Sequence, residues 1–291
     1  MKIKNKKILL LYKKSAFRLY FLDRHSSLRG KRNFVINKEL TNFQKAHDQH
    51  YSSLKIVTKI LLTHGIKFSE SYRGRKINYN LYDLIITVGG DGTFLEAARN
   101  VERQVILGVN SAPDYSVGRY CVATANNFEK VLMRILNNTF NPALLQRLRA
   151  AFDYDHKPVH VLNDLLVCHS NPAVLCRYVI QRGKTIEEQR SSGVWVSTPA
   201  GSSGALFSAG GVKMNPYVEK FQYIARELYP ARSQRYYLKK GILAKKETLK
   251  ITSLMRQGIV FIDGAHQRCP LEYGNSITVS LSSHPIRTID K

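Results

Sequence analysis

Five consecutive residues, Gly89-Gly90-Asp91-Gly92-Thr93, combine the residue types that handle phosphate. Glycines let the backbone turn sharply and approach a ligand with no Cβ in the way. If a helix begins directly after them, its first amides lack intrahelical partners and face outward, where phosphate oxygens can accept from them. A lone carboxylate in such a loop would repel the phosphate beside it. Asp91 is chemically sensible there if it takes a proton from an attacking hydroxyl or helps hold a divalent cation. The loop is not a Walker A motif, because no Gly-Lys-Ser/Thr follows, and it is not the dinucleotide fingerprint either.

Other candidates are weaker when taken singly. Asn163-Asp164 forms a polar pair inside the strand-like run Val159–Val167. Ser197-Thr-Pro-Ala-Gly201-Ser-Ser203-Gly-Ala205-Leu-Phe-Ser208 is rich in hydroxyls and small residues. His47, Asp48 and His50 are close together, and two histidines three apart can bind metal; a solvated helix face is the preferred reading. Arg73-Gly-Arg75-Lys76 is a basic turn that could steer an anion by charge, although a plain exposed loop suits it better.

The elements that must position these residues follow from periodicity. Lys7–Tyr12, Tyr82–Val88 and Val105–Val109 are apolar runs without polar alternation, which is the pattern of parallel strands buried on both faces. Phe43, Ala46, His50, Leu54, Val57 and Leu61 recur at three and four, predicting a helix that ends near Gly65. Thr93–Val101 has helical composition, and Phe128–Leu136 is a helix with Asn126 or Asn127 as its cap. Arg18–Asn42 reads as an exposed basic excursion. Beyond about residue 145, short β-rich runs divided by Gly, Asn and Pro take over: Pro158–Cys168, Val174–Gln181, Val194–Ser197, Thr248–Thr252, Ile259–Ile262 and Ser276–Leu281. The expected fold class is α/β plus all-β. An N-terminal α/β nucleotide-binding domain with a parallel sheet, residues 1–125, precedes a β-sandwich-like domain, residues 126–291, whose tail returns to the first domain.

Composition limits the partners. The 291 residues carry a formal charge of +24, and residues 1–80 alone hold 19 Lys/Arg against 4 Asp/Glu. Such a field attracts polyanions of any kind without naming one; nucleic acid is not the expected partner. No apolar run approaches the ~20 residues of a membrane helix, so no membrane partner is expected. Four cysteines, none spaced as Cys-x-x-Cys, fit reduced thiols rather than a zinc site. The first 22 residues hold seven Lys or Arg and no acid, as a transit peptide would, but Lys7–Tyr12 reads as a structural strand. A cytoplasmic chain is expected, or a mitochondrial one in a eukaryote.

Gly89–Thr93 resembles the signature loop shared by NAD kinases, diacylglycerol and sphingosine kinases and phosphofructokinases. The later motifs narrow the choice. Asn163-Asp164 resembles the Asn-Glu/Asp pair of NAD kinases, Ser197–Gly211 is similar to their Ser-Thr-Pro-Thr-Gly-Ser-Thr-Ala-Tyr segment, and Asp263-Gly264 looks like their late Asp-Gly turn. The resemblance covers roughly residues 80–280. The version Asn110–Cys121, with Ser191-Ser192-Gly193, is similar to the mitochondrial-type branch and its bacterial relatives. Ser192 stands where the family has Asp, and Ser203-Gly204-Ala205 stands where it has Thr-Ala-Tyr.

The resemblance implies ATP-dependent phosphorylation of the adenosine-ribose 2′-hydroxyl of NAD(H), with Asp91 as the base and Gly89, Gly90, Gly92 and Thr93 as the phosphate loop. It implies that Asn163 and Asp164 grip the ribose, where a carboxylate can accept from both hydroxyls of a diol. Ser192, Ser203, Ala205, Ser208 and Tyr120 complete the implied NAD-binding set, with Tyr120 at the family's Phe position. Mg²⁺ or another divalent cation arrives on ATP, with no certain protein metal ligand. A homodimer or homotetramer is implied as well. Two alternatives remain open on the sequence: a lipid or other small-alcohol kinase sharing the loop, and an inactive relative that binds nucleotide or nucleic acid.

Overall fold

The computed structural model describes residues 6–23, 34–229, 235–265 and 267–289, with residues 34–38 described by backbone alone. The chain forms two compact units, residues 1–143 with 287–291, and residues 144–286.

The first unit is built on a parallel sheet. Strands β1 (Ile8–Tyr12), β2 (Phe68–Tyr72), β3 (Leu84–Gly89), β4 (Val105–Asn110), β5 (Ala123–Thr124) and β6 (Pro142–Leu145) are joined by the last strand, β19 (Ile286–Ile289). The order is β2-β1-β3-β4-β19-β6, with β5 pairing β4. In the central pairs, Leu10 lies opposite Ile86, and Ile86 opposite Leu107. All six residues of β3 are buried. The central strands β1, β3 and β4 are largely apolar because helices cover both faces, whereas the edge strand β2 is polar and partly exposed. Helices α1 (Phe34–Thr63) and α3 (Phe128–Leu136) bury Leu54, Val57, Leu61, Phe128, Val131, Leu132 and Ile135 against Ile8, Leu10, Leu84, Ile86, Val88, Leu107 and Val109. Helix α2 (Asp91–Asn100), the crossover between β3 and β4, buries Phe94, Ala97 and Ala98. Gly65, with φ +64°, closes α1: its amide donates to Leu62 O and that of Ile66 to Leu61 O. This left-handed stop needs glycine.

Three expectations change. Helix α1 begins at Phe34, nine residues before Phe43, where the expected stripe starts; Arg18–Leu22 is a π-helical turn rather than an open excursion. Residues 24–33 of that excursion lie outside the described residues. Asn127 occupies the cap position of α3, but its Oδ1 accepts from Thr124 N at 2.6 Å rather than from the helix. The boundary expected at 125/126 falls at 143/144, since α3 belongs to the first core.

The second unit is a sandwich of two antiparallel six-stranded sheets. One contains β7 (Leu148–Phe152), β8 (Val159–Val161), β10 (Cys176–Arg182), β11 (Thr185–Ser191), β15 (Leu249–Ser253) and β18 (Ser276–Leu281), ordered β11-β10-β15-β18-β7-β8. The other contains β9 (Asp164–His169), β12 (Val194–Ser197), β13 (Lys220–Ala225), β14 (Lys240–Ala244), β16 (Gly258–Ile262) and β17 (Gln267–Pro270), ordered β14-β13-β12-β9-β16-β17. Inward residues alternate along each strand: Tyr178, Ile180, Leu249, Ile251, Ile277 and Val279 from one sheet meet Leu165, Val167, Val194, Val196, Phe221 and Val260 from the other. No helix among the described residues is long and apolar enough to cross a membrane.

Candidate active site

In the first unit, β3 ends at Gly89 and α2 begins at Asp91, with Gly90 as its cap. The amides of Thr93 and Phe94 turn back to Gly90 O, at 2.9 and 3.4 Å, so the first helical turn is closed tightly over the strand tip. A Cβ on Gly89 would fall inside the Thr93 side chain, which explains why the strand must end in glycine. Thr93 is 1% exposed, and its hydroxyl packs on that glycine. It shapes the loop from within.

Asp91 sits in the first turn of α2, half-buried, and its Oδ1 accepts the backbone N–H of Tyr120 at 2.9 Å. That amide fixes one carboxylate oxygen. The Tyr120 ring stacks on Phe94 of α2, with centroids 5.2 Å apart and planes 13° apart. Tyr120 is thereby joined to the loop through both its backbone and its ring. Asn110, at the tip of β4, holds the segment between: its Oδ1 accepts from Ser116 Oγ and Ala112 N, and its Nδ2 donates to Ser116 O. Gly118, with φ +58°, passes so close to Asn110 that no side chain fits.

The basic turn departs from its preferred reading. Gly74, Arg75 and Lys76 are exposed, but Arg73 is half-buried, and a Cβ on Gly92 would come within 2.8 Å of its Nη1. His50 departs too. It is fully buried, its Nδ1 paired with Ser111 Oγ and its Nε2 with Lys13 O, both at 2.8 Å, and burial pushes its pKa down to about 4. It is a neutral crosslink rather than part of a solvated helix face.

In the second unit, the run expected as one strand from Pro158 to Cys168 is broken at Leu162-Asn163, where the chain passes from β8 in one sheet to β9 in the other. Both amides in the break need acceptors, and Asp263 supplies them: Leu162 N donates to its Oδ2 at 3.1 Å and Asn163 N to its Oδ1 at 2.6 Å. Asp263 itself sits at φ +48°, followed by Gly264 at φ +96°. This carboxylate was legible only as part of an Asp-Gly turn; its role comes from a contact a hundred positions away.

Asn163 Nδ2 donates to Asp164 Oδ2 at 2.9 Å, so the two side chains face one another. Asp164 is 4% exposed, and its pKa is raised to about 7, chiefly by burial and then by the negative charge of Asp263. The 3-10 turn Ala200–Ser203 lies over this pair: a Cβ on Gly201 would strike Asn163 O, and one on Gly204 would lie 3.8 Å from Asp164 Oδ2. Thr198, wholly buried, donates to Leu162 O at 2.6 Å and accepts from Gly201 N at 3.0 Å, tying the turn to the break. Ser203 and Ala205 flank Gly204 and are half-buried beside the pair, whereas Ser208 is exposed at the end of the short helix α4 (Ala205–Ser208). Ser192 is not brought to the pair. Ser197 is opposite Asp164, and Ser192 lies beyond the other end of β12, whose first residue Val194 is opposite Val167; its amide donates to Arg226 O.

A fold of this kind, with a glycine-bounded Asp at a parallel strand tip and a polar Asn-Asp pair in a following sandwich, defines a nucleotide-handling phosphotransferase. Comparison with known proteins makes it specific. Residues 21–140 match the ATP-NAD kinase N-terminal domain, and residues 162–291 the ATP-NAD kinase C-terminal domain. A protein of Oryza sativa subsp. japonica named "Probable NADH kinase" is 32% identical over 229 residues, spanning 71% of this chain and 70% of the rice protein. The fold is that of the Archaeoglobus fulgidus NAD kinase solved with ATP (TM-score 0.67, 20% identity, 98% of this chain and 93% of that one). It is also that of yeast NADH kinase solved with NADH (TM-score 0.71, 15% identity, 98% and 83%). The chain belongs to the NAD kinase family, phosphotransferases with an alcohol group as acceptor.

Proposed function

We propose that the chain transfers the terminal phosphoryl group of ATP to the adenosine-ribose 2′-hydroxyl of NAD or NADH, giving NADP or NADPH. The observation that carries this reading is Asp91, a carboxylate at the first turn of α2 with one oxygen held by the Tyr120 amide. Its other oxygen is directed to the work of a general base, accepting the hydroxyl proton as that oxygen attacks phosphorus. The loop amides and Gly89–Gly92 cradle phosphate, and positioning with charge neutralisation supplies most of the rate in such transfers. Asn163 and Asp164 take the ribose of the acceptor, with the carboxylate as acceptor and the amide as donor.

Among the described residues no three His, Cys, Asp or Glu side chains gather to hold a metal. The donor set fits a cation that takes most of its ligands from phosphate and water, with Asp91 as the carboxylate in the loop itself. Mg²⁺ bound in this way would neutralise the triphosphate.

The test is the purified chain and its Asp91→Asn variant, assayed with Mg-ATP and either NAD or NADH. The wild type should form NADP or NADPH, and the variant should lose turnover while keeping its melting temperature. Near-normal turnover in the variant would exclude Asp91 as the base. Phosphate label entering a lipid acceptor but neither dinucleotide would replace the acceptor.

A further inference from the structure

Three neighbouring parallel strands end together. Tyr12 of β1 is in register with Tyr72 of β2 and Val88 of β3, so the next residues along the three strands are Lys13, Arg73 and Gly89. Arg73 N donates to Tyr12 O at 2.8 Å, which extends the ladder by one step and fixes the root of the arginine side chain. Ligands of parallel sheets bind beyond the carboxyl ends of the strands, where these residues stand.

Both cations are half-buried, and neither has an ion-pair partner among the described residues. The Arg73 guanidinium lies against Gly92, in the first turn of α2. The carboxylate whose charge reaches it, Glu96, is already engaged by Arg99 at 2.6 Å. No described acid forms an ion pair with either Lys13 or Arg73. Burial, and then the charge of Arg73, lowers the pKa of Lys13; burial likewise lowers that of Arg73. Two like charges held together and partly dehydrated are an unfavourable arrangement that a bound polyanion relieves.

We propose that Arg73, with Lys13 beside it, is the clamp for the terminal phosphates of the phosphoryl donor. The inference rests on the kinase reading and deepens it by assigning residues that none of the recognised motifs contains. Arginine suits the task because its planar fork donates two parallel hydrogen bonds to phosphate oxygens. Its position against Gly92 gives that glycine a second purpose: a side chain there would push the guanidinium away.

The test uses the full chain and inorganic tripolyphosphate, a probe that carries the terminal phosphates without adenine. Binding is measured by calorimetry for wild type, Arg73→Gln, Arg73→Lys, Lys13→Gln and, as control, Lys59→Gln on the exposed side of α1. Arg73→Gln should weaken tripolyphosphate about tenfold or more and raise the ATP KM similarly, with the NAD(H) KM within about twofold. Arg73→Lys should recover part of the loss, Lys13→Gln should show a smaller one, and Lys59→Gln none. AMP, which lacks the terminal phosphates, should bind all variants alike. A folded Arg73→Gln protein with wild-type tripolyphosphate affinity overturns the clamp; if that variant does not fold, unchanged affinity in Lys13→Gln and Arg73→Lys overturns it equally. Absence of dinucleotide phosphorylation by the wild type would instead strike the function, because the tripolyphosphate measurement stands without turnover. Wild-type transfer from polyphosphate as well as ATP, both sensitive to Arg73, would show that the clamp serves either donor.

Discussion

The strand-tip loop of the first unit and the Asn163 break of the second solve opposite electrostatic problems. At the loop lie helix-start amides, two cations with no ion-pair partner among the described residues, and one carboxylate oriented by the Tyr120 amide. At the break, charge is negative and made by side chains: Asp263 consumed by two backbone amides, and Asp164 buried beside it with its proton affinity raised. On the function proposed above, the first receives a polyanion and the second neutral hydroxyls.

The largest expected effect is at the loop. Asp91→Asn should lower kcat by about 10²–10⁴, the range for removing a general base, with stability nearly unchanged. A large fall in melting temperature would mean that the Tyr120 contact is structural and would blur the contrast between the regions.

The second effect is at the break and should be on stability. Asp263→Ala strands two amides in a region where the carboxylate is 5% exposed, and should cost about 2–4 kcal/mol, read by denaturant unfolding. A change below about 0.5 kcal/mol would show that other groups can satisfy Leu162 and Asn163.

A third prediction concerns pH. The folded state raises Asp164 to about 7 from an ordinary value near 4, so it favours the protonated acid. That advantage is complete below the unfolded-state pKa and is lost as pH rises through about 7. Asp164→Asn has no such titration. The variant should therefore gain stability relative to wild type between about pH 4 and 7, by about 2 kcal/mol or more, with the gap constant above. A pH-independent gap would show that Asp164 is not dehydrated.

The smallest overall effect is expected for Gly92→Ala. Its backbone is not left-handed, and alanine favours helix, so unfolding free energy should move by less than about 1 kcal/mol. The ATP KM should nevertheless rise severalfold, because the new Cβ displaces Arg73. An unchanged KM would separate Gly92 from the proposed clamp.

Much of this architecture was readable in the chain. The largely apolar β1, β3 and β4 announced a two-faced parallel sheet, and the close spacing of short strands beyond residue 145 a sandwich. Of the strands that escaped, β11 (Thr185–Ser191) places Glu187, Gln189 and Ser191 inward, so its buried face carries no apolar signal; β13 (Lys220–Ala225) escaped although five of its six residues are buried. The start of helix α1 was missed even though Ile36 and Leu40 carry the three-and-four spacing back from Phe43. The break after Val161 was read as continuous strand, since Leu162 and Asn163 are as apolar or polar as their neighbours require.

Local physics placed a glycine loop, a carboxylate and a helix start at the tip of a strand, since backbone freedom, helix-end amides and hydrophobic period are properties of neighbours in the chain. Tertiary structure alone decided that Asp263 meets the amides of Leu162 and Asn163, that Asp164 loses its water, and that Arg73 rests on Gly92. Those outcomes depend on dehydration and on charges brought together from distant positions, and neither quantity exists until the chain is folded.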